Sequence, residues 1–266
     1  MLGCKQIATP MNTGEKFHLN DDSGEAHPKV YRRLIGGLFY LTHTRPDISY
    51  AIGLLSRFMQ PPSKQHLGAA RRVLRYISGM LNYGLHYTHV THFELVGFTD
   101  SDWAGSIDYR KSTIGCIFII GSAAVTWSSK KQEIIALLTT EAKYIAATTS
   151  ACQAIWLRRL MGDIGEEQKG PTAVFCDNKS AIALTKNPVM HGRSKHIDIR
   201  FHFIHSLVED NTISMVFCST KEQIANILTK PLSAQKFNYL RMKMGIISCE
   251  LREGVNISNS HADVDG

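Results

Sequence analysis

The sequence contains no apolar run that approaches the roughly 20 residues needed for a membrane-spanning helix. Its first residues, MLGCKQIATPMNTGEKF, also lack the features of a secretory signal peptide. We therefore expect no membrane partner. The expected location is the cytoplasm, with the nucleus as the alternative.

Closely spaced cysteines are also lacking: the six cysteines are scattered and include no C-x-x-C pair. Cys116, Cys176 and Cys218 lie in apolar runs typical of strands. Buried free thiols in a reducing compartment fit this pattern better than disulfides or a zinc site. The histidines at positions 191, 196, 202 and 205 do not change this expectation, because their partners are not thiols.

Acidic residues are outnumbered, with 23 Asp and Glu against 30 Lys and Arg, and the formal net charge is +7. A basic surplus of this size suits a polyanionic partner such as nucleic acid. Many soluble proteins carry as much, so the charge alone is a weak indication.

The N-terminal third of the chain predicts helices. Residues 1–28 have no periodicity and are rich in Gly, Pro, Asn and Asp, which predicts an irregular segment. Residues 29–84 place apolar side chains at helical spacing and predict three short helices, the third capped by Ser63. Basic residues on the outer side of that helix form either a solvated face or a stripe facing phosphates: Arg71, Arg72 and Arg75.

The remaining two-thirds predicts strands that alternate with helices. Residues 95–128 form a three-strand antiparallel meander, with Gly121-Ser122 as a tight turn. A long helix begins at Thr139, and residues 173–178 form another apolar strand that ends in an acid. The path from the meander through the helix to this strand implies parallel pairing.

Acidic residues recur at the ends of these elements, at Asp100, Glu141 and Asp177. Each has an ordinary explanation alone, because Asp forms turns and a carboxylate is favoured in the first turn of a helix. Parallel pairing would place Asp100 and Asp177 side by side, with the Glu141 helix crossing the same face. Three carboxylates are therefore expected to converge.

A bare cluster of carboxylates is unfavourable because like charges repel. Two Mg²⁺ ions about 4 Å apart, bridged by the carboxylates, would remove this repulsion and activate a water for phosphodiester hydrolysis. The cluster therefore predicts a two-metal hydrolase that needs no small-molecule cofactor.

The same residues carry a resemblance to a known family. The chain resembles the ribonuclease H domain of copia-type retrotransposon polyproteins in the phrases TDSDWAG, STIG, TWSSKKQ, LTTEAKYIA, CDNKSAIAL, RSKHIDIRFHFI and ILTKPL. Upstream, YRRLIGGLFYLTHTRPDISYAIGLLSRFMQPPSKQHLGAARRVLRYISG resembles the thumb and connection segment of the reverse transcriptase of the same elements. The resemblance covers about residues 1–247.

The resemblance implies an α/β fold of the ribonuclease H type, with a five-stranded mixed sheet and flanking helices behind a small helical subdomain. It implies cleavage of the RNA strand of RNA–DNA hybrids with two Mg²⁺ ions, for which Mn²⁺ can substitute. The first three metal-binding acids then correspond to Asp100, Glu141 and Asp177, with Asp102 as an alternative for the first. Further implied partners are the upstream reverse transcriptase or integrase portions of the polyprotein.

The implied organisation has four parts: an irregular segment (1–28), a thumb and connection remnant (29–84), a ribonuclease H-like domain (92–247) and a disordered tail (248–266). The polymerase palm with its paired aspartates is not part of the sequence, so we expect no copying of nucleic acid. The expectation is a hybrid-cleaving endonuclease of reduced activity. The alternative is an inactive or domesticated remnant that only binds nucleic acid.

Three positions depart from the family pattern. Asn226 stands where the fourth catalytic acid is expected, and it keeps a carbonyl oxygen but no charge. Leu138 replaces a small polar residue, and Lys143 stands where many members have an acid. Because Asn226 carries no charge, we expect weaker binding of one metal and less catalysis.

Residues beside the acids are candidates for contact with the hybrid backbone: Ser101, Thr140, Asn178 and Lys179. Further basic residues that are expected to lie in loops are candidates for neutralising phosphates: Lys130, Lys131, Arg193 and Lys195. Each of these basic residues is individually also explained as an ordinary surface charge.

Overall fold

The computed structural model describes residues 4–186 and 195–249, without the side chains of residues 195–201. Within them, the α-helices are α1 (Pro28–Leu41), α2 (Ser49–Leu55), α3 (Lys64–Ser78), α4 (Thr139–Asp163), α5 (Lys179–Lys186), α6 (Lys195–Glu209) and α7 (Ala234–Lys243). The strands are β1 (Tyr83–Leu85), β2 (Leu95–Ser101), β3 (Thr113–Ile120), β4 (Ala123–Lys131), β5 (Thr172–Cys176), β6 (Ile213–Phe217) and β7 (Ile246–Ser248). Short 3₁₀ turns are found at Pro46–Ile48, Ser56–Phe58 and Ile224–Leu228.

Two further observations concern the described residues as a whole. None of their helices combines the length and the apolar character that a membrane span requires. All six cysteines of the chain fall among them and are free; Cys116 and Cys176 are buried as predicted, whereas Cys218 is only partly buried. The tail predicted over residues 248–266 was placed to begin too early, because Ser248 belongs to β7, and from residue 250 onward it lies outside the described residues.

The main sheet has the strand order β4-β3-β2-β5-β6. β2, β3 and β4 form the predicted antiparallel meander, and Gly121 adopts φ +61° in the turn between β3 and β4. β5 pairs in parallel with β2, as the path through α4 predicts, and β6 pairs in parallel with β5. The predicted α/β architecture, a five-stranded mixed sheet with flanking helices, is confirmed in the described residues.

Different helices cover the two faces of this sheet. Along β3, Ile117 packs into one apolar cluster, whereas Cys116 and Phe118 pack into another, because neighbouring side chains of a strand point to opposite faces. The first cluster contains α1 to α3, the turn Ile224–Leu228 and α7, and the second contains α4, α5 and α6. The N-terminal helices therefore share a core with the sheet.

A buried network of an ion pair and hydrogen bonds connects the N-terminal helices to α7. Arg45 donates to both carboxylate oxygens of Asp47, from Nε at 3.0 Å and from Nη2 at 2.7 Å. The hydroxyl of Tyr76 donates to the same carboxylate, and Nη1 of Arg241 donates to the Tyr76 oxygen at 3.3 Å. Because Asp47 is buried, losing either arginine would leave polar groups without partners in the core.

Gly115 lets the turn Ile224–Leu228 lie directly on β3. A Cβ atom at this position would lie 2.7 Å from the carbonyl oxygen of Ala225 and 2.7 Å from Cγ2 of Thr229. Gly115 pairs with Asp100 across the β2–β3 ladder, so the same close approach brings the residues that follow the turn towards Asp100.

We expect Gly115→Ala to lower the free energy of unfolding by about 2 kcal/mol, because the added methyl group forces the turn away from β3. The measurement is urea unfolding followed by circular dichroism. Gly68→Ala is the matched control: it lies in α3, its Cβ would meet no atom within 4 Å, and it should raise stability by about 0.5 kcal/mol. Equal losses in both variants would contradict the packing argument.

Candidate carboxylate–lysine site

Asp100 and Asp177 meet at the carboxyl ends of two neighbouring parallel strands. Asp100 is the sixth residue of β2, and Asp177 directly follows β5. The side chain of Asp100 is fully buried, and that of Asp177 is 4% exposed. The parallel pairing inferred from the sequence thus brings these two acids together.

The residue that joins them is Lys143, in the first turns of α4. Its Nζ donates to Oδ1 of Asp100 at 2.7 Å and also to Oδ1 of Asp177. The Lys143 side chain is only 10% exposed, so both ion pairs are shielded from water. We call Asp100, Asp177 and Lys143 the carboxylate–lysine site.

Further donors occupy the remaining carboxylate oxygens of this site. Oδ2 of Asp100 accepts from Oγ1 of Thr229 at 2.6 Å and from Nζ of Lys230 at 3.3 Å. Oδ2 of Asp177 accepts from Oγ1 of Thr220 at 3.0 Å. All four oxygens of the two carboxylates therefore accept hydrogen bonds from side chains.

The ion pairs determine how the groups of the site titrate. Burial alone would raise the pKa of Asp100, but the charges of Lys230 and Lys143 and the bonds from Lys143 and Thr229 outweigh burial and lower it. Burial alone would lower the pKa of Lys143, but the two aspartates outweigh it and raise the pKa. Both carboxylate and ammonium are thus held in their charged forms.

Glu141 takes a different direction from the one predicted. Its Oε2 accepts from the backbone N–H of Leu137 at 2.7 Å, at the start of α4. Residues two positions apart in an α-helix are rotated by about 200° around the helix axis. The side chains of Glu141 and Lys143 therefore point to nearly opposite sides of α4. Within the described residues, no group of three or more acids, histidines or cysteines is arranged to hold a metal, so Glu141 does not complete a set with the two aspartates.

Asn226, at the position of the expected fourth acid, is fully buried in the turn Ile224–Leu228. Its Nδ2 donates to the carbonyl oxygen of Thr220 at 2.9 Å, and its Oδ1 has no hydrogen-bond partner in the structure. The residues that do reach Asp100 from this part of the chain are Thr229 and Lys230. They follow the turn directly and are placed by its close approach to Gly115.

The residues present do not fit the two divalent cations that the family resemblance implies. Mg²⁺ binds several oxygen ligands and is favoured by a surplus of negative charge. Here the charges of Asp100 and Asp177 are balanced by Lys143 and Lys230, and an ammonium lies between the carboxylates. A metal would have to displace that ammonium before it reached either aspartate.

The residues beside the acids that are predicted to contact a hybrid differ in how accessible their side chains are. Ser101 is buried, donates to the carbonyl oxygen of Asp102 at 2.8 Å and accepts from Gln132, so its hydroxyl is not at the surface. Oδ1 of Asn178 accepts from the backbone N–H of Ala181 at 2.8 Å at the start of α5, which is a structural use of that side chain. Thr140 is half-buried in the first turn of α4.

The predicted basic contacts lie at the surface where they are described. Lys130 and Lys131 are exposed, but they end β4 and do not lie in a loop as predicted. Nζ of Lys179 lies 4.9 Å from the centre of the Phe217 ring. Arg193 and the side chain of Lys195 lie outside the described residues.

Reasoning from sequence missed Lys143, Thr220, Thr229 and Lys230 as parts of the site. The available signal for Lys143 was its position as a basic residue where the family pattern has an acid. For the other three no local signal exists, because their contacts depend on how the turn Ile224–Leu228 packs on β3.

We expect Lys143→Ala to lower the free energy of unfolding by about 3 kcal/mol, because it leaves two buried carboxylates side by side without their shared counter-charge. Millimolar Mg²⁺ should restore part of the melting temperature of this variant and leave that of the wild type unchanged. Lys169→Ala, at an exposed position of the loop before β5, is the control and should change stability by less than about 0.5 kcal/mol. Stabilisation of the wild type by Mg²⁺ would show that the metal binds despite the ammonium of Lys143.

The site should also shape the pH dependence of stability. Because the pKa of Asp100 lies below its ordinary value of 3.8, its stabilisation is present above that pH and is lost as the pH falls through the lowered pKa. Because the pKa of Lys143 lies above 10.5, its stabilisation is present below that pH and is lost as the pH rises through the raised pKa. Melting temperatures from pH 2 to 12 should therefore fall more steeply at both extremes in the wild type than in Lys143→Ala. Parallel curves would contradict this.

The chain was compared with known proteins. No protein-family model matches it. It is 38% identical over 247 residues to the retrovirus-related Pol polyprotein from transposon RE2 of Arabidopsis thaliana, covering 93% of this chain and 17% of the polyprotein. It is also 38% identical over 255 residues to the corresponding polyprotein from transposon TNT 1-94 of Nicotiana tabacum, covering 93% of this chain and 19% of the polyprotein.

Among solved structures, LC11-RNase H1 in complex with an RNA/DNA hybrid matches with a TM-score of 0.37 and 13% identity, over 51% of this chain and 94% of that one. This likeness is weak, and the assignment rests on the transposon relatives. The chain spans about a sixth of the length of those polyproteins. It belongs to the family of retrovirus-related Pol polyproteins from transposons.

Proposed function

We propose that this segment binds RNA–DNA hybrids through its ribonuclease H-type domain and, with its present side chains, does not cleave them. The observation that carries the proposal is the ammonium of Lys143 between Asp100 and Asp177. An ammonium supplies positive charge at this point, but it has no open coordination position at which a water would be activated.

The charges around the site support binding to a polyanion. Lys230 is partly exposed, and Lys236 places its Nζ 2.9 Å from the carbonyl oxygen of Thr220, whose side chain binds Asp177. Burial and then the neighbouring charge of Lys230 lower the pKa of Lys236. Backbone phosphates of a nucleic acid would lower the free energy of such a group of cations.

The choice of a hybrid rests on the family resemblance. Hybrids differ from DNA duplexes by the 2′-hydroxyls of one strand, which a protein recognises with polar groups. Thr140 and Lys179 remain the predicted contacts of this kind, because both are at least partly exposed beside the site.

Hydrolysis of the RNA strand at a reduced rate is the second candidate function. Asp100 and Asp177 favour it, because both carboxylates are retained and lie side by side at the sheet edge. Activity of this kind with Mg²⁺ or Mn²⁺ would require Lys143 to leave the site.

We further propose the upstream reverse transcriptase or integrase portions of the polyprotein as partners. The transposon relatives are several times longer than this chain. Helix α1 exposes Val30, Phe39 and Tyr40 at 51–79%, which is more apolar surface than a solvated helix face needs.

The test uses a labelled RNA–DNA hybrid in an equilibrium binding assay and a cleavage assay with Mg²⁺ or Mn²⁺. The wild type should bind the hybrid and release no more product than Asp177→Asn. The double variant Lys143→Glu with Asn226→Asp, which puts carboxylates at both departing positions, should raise cleavage by at least about tenfold. Glu141→Gln in that background should retain the activity, because Glu141 faces Leu137.

Each outcome decides between the candidates. Cleavage by the wild type that Asp177→Asn abolishes would overturn the non-cleaving proposal and establish the hydrolase. A folded wild type that does not bind the hybrid would overturn the binding proposal. Loss of the gained activity in Glu141→Gln would show that Glu141 acts as the sequence predicts.

A further inference from the structure

A second group of basic side chains lies beyond the end of β2. Lys131 ends β4, and its partner across the β3–β4 ladder is Thr113. The hydroxyl of Thr113 accepts from Nη2 of Arg57 at 3.0 Å, and Lys111 precedes Thr113 by two residues. Arg57 belongs to the 3₁₀ turn Ser56–Phe58, so the group combines the N-terminal helices with the sheet.

These three cations lie close enough to repel one another. Burial, followed by the charges of Arg57 and Lys111, lowers the pKa of Lys131. In the described part of the chain, none of the three forms an ion pair with a carboxylate. The acid whose charge reaches Arg57 is Asp102, a half-buried residue whose carboxylate accepts from the backbone N–H of Thr113.

The surrounding loop holds the Lys131 ammonium in place before any ligand binds. Nζ of Lys131 lies 4.3 Å from the centre of the Tyr109 ring, a distance at which a cation is attracted to an aromatic face. Backbone bonds from Ser106 to Lys111 at 3.1 Å and from Arg110 to Ser106 at 2.8 Å close the loop that carries Tyr109. Less side-chain freedom is therefore lost when an anion binds.

The position of the group favours a long polyanion over a small one. It lies at the same end of the sheet as the carboxylate–lysine site, because Asp102 follows β2 and bonds to Thr113 at the start of β3. Two groups of cations at one end of a sheet match a ligand that carries phosphates at regular intervals.

We propose that Arg57, Lys111 and Lys131 form a phosphate-binding site for the backbone of a nucleic-acid strand that also contacts the carboxylate–lysine site. This inference rests on the proposed binding of hybrids and extends it to a second contact. It gives the N-terminal helices a direct part in binding through Arg57.

The experiment measures binding of a fluorescent RNA–DNA hybrid as a function of salt concentration for the full chain. Lys111→Gln with Lys131→Gln removes two charges at exposed or half-exposed positions. The matched control, Arg159→Gln with Lys169→Gln, removes two exposed charges from the end of α4 and the loop before β5. We expect the first pair to weaken binding about fivefold and to reduce the slope of log K against log salt by about two. The control pair should change neither.

Lys111→Arg with Lys131→Arg keeps the charge and should bind as the wild type does, and thermal unfolding verifies that every variant is folded. Equal weakening by the test and control pairs would overturn the site, because it would reflect net charge alone. Wild-type affinity in the glutamine pair, together with stabilisation of the wild type by inorganic phosphate, would assign the cluster to free phosphate and overturn its role with nucleic acid. Absence of hybrid binding by the wild type would be the failure of the proposed function itself.

Discussion

The two hydrogen bonds that Lys143 donates to Asp100 and Asp177 determine the chemistry at this end of the sheet. Two carboxylates at the ends of adjacent strands repel each other, so a cation has to lie between them if both are to stay charged and buried. Here that cation is part of the chain. It is present at unit stoichiometry whatever the ionic composition of the solution, and the stability of the edge is therefore independent of metal supply.

Much of the fold follows from local patterns in the sequence. The alternation in residues 95–128 predicts the meander, and the β–α–β path predicts the parallel neighbour of β2. Once these are known, the meeting of Asp100 and Asp177 follows, because both acids end parallel neighbours. Ser63 also caps its helix as predicted, with Oγ accepting from the backbone N–H of His66 at 3.2 Å.

The rest of the site depends on features that local patterns do not contain. Glu141 and Lys143 differ by two positions, and only the rotation of α4 against the sheet decides which of them faces the aspartates. That rotation is set by packing along the whole helix, from Ala142 to Met161. Thr229 and Lys230 reach Asp100 across more than 120 residues of sequence, through the approach of a turn to Gly115 that no periodicity reveals.

The buried junction of Arg45, Asp47, Tyr76 and Arg241 has a consequence for how such segments evolve. A recombination breakpoint between the N-terminal helices and the sheet would separate Asp47 from Arg241 and expose the apolar residues that pack on Ile117. Chimeras that join these parts from diverged transposons would have to match both the charges and the shapes at the interface between the two parts. The two parts are therefore expected to be inherited together as one unit.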